Sequence, residues 1–153
     1  MKPVLLLVAL FMALQGFSQT TVKLVNPPAL ATPKGYSHAA VIDLGTAKMI
    51  IMSGQVALDK QGTLVGKDDL EKQTEQVFRN IKSIVEANGG TMENIVKLGY
   101  FITDVSKISV VRAVRDQFIN TQHPPASTLV QVSKLFRDDV MIEIEATAVI
   151  PLK

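Results

Sequence analysis

At 153 residues the chain is long enough for one domain, and an apolar content of 47% is enough to fill a core. A formal net charge of +2, with 20% charged residues nearly balanced in sign, gives no electrostatic case for nucleic acid or an anionic membrane as partner. The absence of cysteine excludes thiol catalysis, disulfides and thiolate metal sites.

The first segment stands apart from the rest. Lys2 supplies a positive start, and residues 4–14 form an unbroken apolar run. That run is shorter than the about 20 residues a bilayer span needs. Gly16 and Ser18 then give a small-x-small pattern. Together these predict a secretory signal peptide over residues 1–18, cleaved between Ser18 and Gln19. The mature protein is then exported, to the periplasm or outside the cell, with no membrane attachment after cleavage. An uncleaved anchor is the competing reading.

Residues 19–34 read as an extended arm, polar and carrying Pro27, Pro28 and Pro33. Residues 35–153 form the domain. Two short apolar runs, 38–44 and 49–53, flank Gly45-Thr46-Ala47-Lys48 and predict a hairpin. A turn-rich loop over 59–66 follows. Asp68, with Glu71 three residues on, predicts a helix start. Leu70, Thr74, Val77, Ile81, Ile84, Val85 and Asn88 then recur at helical spacing, until Gly89-Gly90 ends the run. Residues 95–102 alternate as a strand, and Asp104 or Ser106 caps a second helix over 107–121 with Ile108, Val111, Val114 and Phe118 as its stripe.

The chain closes with two runs, 126–133 and 140–149, which read as two antiparallel strands joined by the charged Phe136-Arg137-Asp138-Asp139. In the last, Val140, Ile142, Ile144, Ala146 and Ala148 oppose Met141, Glu143, Glu145 and Thr147. The two glutamates share a side, which must be solvent or a polar cleft, because an unpaired carboxylate is costly to bury. The order β-β-α-β-α-β-β predicts a single two-layer α+β domain, two helices on one face of a mixed sheet, with right-handed crossovers. Met52, Phe101 and Leu129 are expected on the open sheet face, and an apolar patch there marks an interface. His38 and His123 lie far apart and have no carboxylate cluster beside them, so no metal site is expected. Ser127 has no His–Asp partner nearby in sequence, so it is not read as a nucleophile.

Several stretches together resemble the RidA (YjgF) family of imine/enamine deaminases. They are Pro33-Lys34-Gly35-Tyr36-Ser37, Ser53-Gly54-Gln55, the helix from Asn80 to Gly89, Val96 to Asp104, Pro124-Pro125-Ala126 and Ile142-Glu143-Ile144-Glu145-Ala146. The resemblance runs from residue 33 to residue 149. It implies hydrolysis of 2-imino or 2-enamino acids, small-molecule substrates, to 2-keto acids and ammonia, with no metal or organic cofactor. It also implies a homotrimer whose sheets pack into a central barrel with clefts between subunits. Tyr36 would be a cleft wall, Gln55 would lie in the strand-end loop near it, and Glu145 would position or activate the water.

One departure stands out. The family's carboxylate-binding arginine falls at Ser127, and a hydroxyl cannot replace a bidentate guanidinium. Arg112, where many relatives carry asparagine, is either a solvated helix residue or a cation that reaches the same cleft; Arg137 is a weaker candidate. The activity expected is therefore a RidA-like deamination with altered substrate choice. The competing reading is a catalytically silent relative that binds a small ligand or a protein partner.

Overall fold

The computed structural model describes residues 21–152. The predicted signal peptide over residues 1–18 lies outside them. Six strands form one mixed sheet: β1 (Val22–Val25), β2 (Ala39–Asp43), β3 (Ala47–Gln55), β4 (Ile95–Ile102), β5 (Ala126–Gln131) and β6 (Ile142–Pro151). Their order across the sheet is β1-β2-β3-β6-β4-β5. Only β4 and β5 are parallel. Helices α1 (Leu70–Ala87) and α2 (Ile108–Arg115) pack together and cover one face.

The core follows from alternation. In β6, Ile142, Ile144, Ala146, Ala148 and Ile150 are buried against the helices. They meet Val77, Phe78, Ile81, Ile84 and Val85 of α1. Helix α1 begins one residue later than expected. Asp69 caps it, its side chain accepting from the Lys72 N–H at 3.1 Å, while Asp68 takes a positive φ of 61°.

Three further expectations are corrected. The five-strand order lacks an edge strand, since Val22–Val25, within the arm expected to be extended, pairs antiparallel with β2. This is possible because Pro27, Pro28 and Pro33 all come after it and cost its ladder no N–H donor. The last two strands run antiparallel but are not neighbours: β6 lies between β3 and β4, and β5 pairs with the outer side of β4. Burial explains the choice, because β6 carries five buried aliphatic side chains and needs partners on both edges, whereas β5 buries only Leu129, and that in part. The second helix ends at Arg115 rather than near Thr121. The chain turns there, and Phe118 stacks on Phe78 with ring centroids 5.2 Å apart.

The open sheet face also differs in membership. Phe101 lies on the open face as expected, but Met52 is buried and Leu129 faces the helices; Ile51 and Val130 join Phe101 instead. Ile51 and Val130 are exposed, so an apolar patch is present there with partly different residues.

One buried polar side chain sets how β6 enters the sheet. Gln73 of α1 is fully buried. Its Nε2 donates to the carbonyls of Gly66 (3.1 Å) and Asp139 (2.9 Å), and its Oε1 accepts from the Met141 N–H (2.8 Å). Gln73→Leu would leave these backbone groups unpaired, at about 1–3 kcal/mol for a stranded buried group. Urea unfolding is expected to show a loss of about 3 kcal/mol; a loss below about 0.5 kcal/mol would mean that water replaces the amide.

Candidate functional site

The site begins at an irregularity in β3. Met52 pairs with Ala146 and Gln55 with Ile144, so β3 spends one residue more than β6 over that step. Such bulges re-aim side chains. The Ser53 hydroxyl donates to the Ser37 carbonyl (2.7 Å) and the Ser53 N–H to the His38 carbonyl (3.0 Å), which ties the Gly35–Ser37 loop to the bulge. Gly54 leaves room for the Glu143 carboxyl, which a Cβ there would displace from its present position. Gln55 pairs with buried Ile144 and is itself buried. Its Nε2 donates to the Ser53 carbonyl (2.9 Å), so Gln55 braces the bulge from the helix side and does not line the cleft.

Tyr36 stands beside this bulge, 49% exposed. Its ring meets the buried His38 ring edge-on at 5.5 Å. His38 is fixed in turn by Nε2 to the Ala31 carbonyl (2.8 Å) and by its N–H to Asn26 Oδ1 (2.9 Å). Tyr36 and Glu143 share a cleft of about 730 Å³ with Lys34, Lys60, Leu58 and Phe136.

Glu143 is the carboxylate of this cleft. Burial pushes its carboxyl above the usual range, and neighbouring Glu145 adds to the effect. The same burial, with Glu143 nearby, raises the Tyr36 hydroxyl. Glu145 is exposed and lies over bare Gly99, where a Cβ would come 2.6 Å from its Oε1. Both glutamates project from the open face, as expected, but Glu143 is the one beside Tyr36. The sign of this was present in sequence as Ser53-Gly54-Gln55, a glycine in mid-strand that marks a bulge or a close approach.

Ser127 and Arg112 lie on the other side of the sheet. Ser127 pairs with Leu98 and Leu129 with Tyr100, which places both on the helix face. They line a small cavity with Tyr100, Ile108, Val111, Arg112 and Arg115. Thr128, paired with Gly99, faces the open side and accepts from Lys97 Nζ at 2.6 Å. Within one chain the fold therefore joins Tyr36 to Glu143, and Arg112 to Ser127, on opposite faces. Arg137 is paired with Asp139 at 2.6 Å. Among the described residues no three His, Cys, Asp or Glu side chains gather as a metal site would require. No helix of the described residues is long and apolar enough to cross a membrane.

Comparison with known proteins agrees with the fold. A family model described as Endoribonuclease L-PSP matches residues 27–150. The chain is 37% identical over 132 residues to the 2-iminobutanoate/2-iminopropanoate deaminase of Salmonella typhimurium, covering 84% of this chain and 96% of that one. The crystal structure of the YjgF gene product of Escherichia coli superposes with a TM-score of 0.71 at 36% identity, covering 83% of this chain and 98% of that one. The Escherichia coli TdcF structure with bound serine gives 0.69 at 31% identity, covering 82% and 96%.

A carboxyl raised in the folded state binds its proton more tightly there than in the unfolded chain. Folded stability therefore falls as pH rises from about 4.5 through the higher folded value. Glu143→Gln keeps the shape and removes the titration. In thermal melts from about pH 4 to about pH 8, the variant is expected to gain on the parent as pH rises, with no gain at the acid end. A difference constant across that range would show Glu143 to be freely solvated.

Proposed function

The chain belongs to the RidA (YjgF) family, described as Endoribonuclease L-PSP, and from that premise we propose that it is a hydrolytic deaminase of reactive imine or enamine intermediates with altered substrate choice. The observation that carries the proposal is Glu143, a half-buried carboxylate seated on bare backbone at Gly54 and facing Tyr36 in an open cleft. A carboxylate raised above its usual range holds a proton more readily and is suited to relaying one. It takes a proton from water as the oxygen adds to the C=N carbon. It passes that proton to nitrogen to give the carbinolamine, then carries the hydroxyl proton to the same nitrogen as the C–N bond breaks, leaving a carbonyl and ammonia. Tyr36 and Phe136 wall the cleft, and the water-positioning role first given to Glu145 passes to Glu143. The net charge of +2 supports a small-molecule substrate over RNA.

The working site lies between copies of the chain. Ser127 and Arg112 sit on the face opposite Glu143, so a substrate that touches both sets must bridge two protomers, as in a trimer with clefts between subunits. The exposed apolar side chains Ile51 and Val130 on the open face support such packing. The apolar leader over residues 4–14 supports export to the periplasm or beyond.

Ser127 alters the choice of substrate. A hydrogen bond to a charged partner contributes about 1.5–3 kcal/mol, so a substrate carboxylate that relied on this strand position binds about 10- to 150-fold more weakly. The same serine favours the second reading, a silent relative that keeps the cleft for ligand binding alone.

The test is ammonia release from 2-iminopropanoate generated in place, with the mature protein. Activity is expected, with kcat lost in Glu143→Gln and kept in Glu145→Gln. Ser127→Arg should raise kcat/KM on this substrate within the range above. No acceleration by either the parent or Ser127→Arg would overturn the enzyme reading in favour of the silent one.

A further inference from the structure

The cavity on the helix face has a composition that Ser127 alone does not explain. It is about 70 Å³, room for two waters at about 30 Å³ each, or for one carboxylate group. Its polar wall consists of donors. Tyr100 is buried, and its hydroxyl has no hydrogen-bond partner among the described residues. A buried hydroxyl without an acceptor is costly, and native structures seldom leave one so. Arg112 makes no side-chain hydrogen bond or ion pair to any described residue. Arg115 gives Nε (2.8 Å) and Nη2 (2.7 Å) to Asp116 Oδ1, which leaves its other N–H groups free. The Ser127 hydroxyl is likewise unengaged. The one carboxylate nearby, Asp116, is already occupied by Arg115.

We propose that this cavity between α2 and the β4–β5 edge is an anion seat, in which Arg112, Arg115, the Tyr100 hydroxyl and Ser127 hold a carboxylate group. It deepens the function proposed above: the identity of that group as a substrate's carboxylate rests on that reading, while the seat itself does not. The cation has moved from the strand to the facing helix. Arg112 supplies a free planar fork suited to a carboxylate. Burial drives the Tyr100 hydroxyl up to about 12, so it stays protonated and donates throughout the neutral range. The small volume admits the carboxylate and leaves the reactive end of the ligand outside.

The chain has two tyrosines and no tryptophan, so Tyr36→Phe makes Tyr100 the sole tyrosine reporter. In that background, near-ultraviolet difference spectra are to be recorded against acetate, 2-oxobutanoate and inorganic phosphate, with chloride at matched ionic strength as the blank. A saturable change is expected with acetate and 2-oxobutanoate, at least tenfold weaker in Arg112→Ala and only partly restored in Arg112→Lys. Arg112 is exposed on a helix, so the alanine variant should fold. By titration calorimetry on the parent, Tyr100→Phe should weaken acetate binding severalfold. Glu143→Gln should leave it unchanged even where turnover is lost, which separates failure of the seat from failure of the deaminase. A response no greater than that of chloride, binding unaffected by Arg112→Ala, or saturation by phosphate with no competition from acetate would each overturn the proposal.

Discussion

The register of β6 is the constraint on which the rest depends. Its five buried aliphatic positions alternate with Glu143, Glu145 and Thr147. A slip by one residue would turn the isoleucines to the open face and drive both carboxylates among the helices. Each buried isoleucine favours the correct register by about 1.5–3 kcal/mol, and burying an unpaired carboxylate would cost more still. Gln73 fixes the same register from the other side by holding the Met141 N–H just before the strand begins. The position of Glu143 is thus decided by hydrophobic burial that has nothing to do with chemistry.

Once β6 is fixed, the sheet separates charges of opposite sign. Its open face presents Glu143 and Glu145; its helix face, at the far edge, presents Arg112 and Arg115 beside Ser127. The parallel pairing of β4 and β5 is what carries Ser127 to the helix side, because Leu98 opposite it is buried there. A carboxylate held by the arginines and an imine carbon approached by Glu143 cannot belong to one ligand on one chain. Assembly is therefore a requirement of the proposed chemistry as well as a cover for apolar surface.

Much of this was legible in the sequence. Alternation over 140–149 predicted both the buried stripe and the outward pair of glutamates, and helical spacing over 70–88 predicted α1. What failed was non-local. Nothing in residues 126–149 says that the two closing strands will be separated by β4, because that depends on which strand has two edges to fill. Alternation also cannot rank Glu143 above Glu145, since both point outward; they are ranked by the cleft, which half-buries Glu143 beside Tyr36 and leaves Glu145 exposed. Tyr100 reads as an ordinary strand aromatic until the parallel partner and the end of α2 close around its hydroxyl. Val22–Val25 was hidden by the prolines that follow it, which set the character of the arm as a whole.

The bulge itself amounts to one residue inserted into an otherwise plain ladder. Met52 and Gln55 both face the helices, so losing Gly54 would restore two-for-two pairing without turning any core side chain around. The scaffold would survive, while a side chain would fill the notch that now receives a carboxylate. In genetic terms, a single-codon deletion separates a domain that can host chemistry from one that is only architecture.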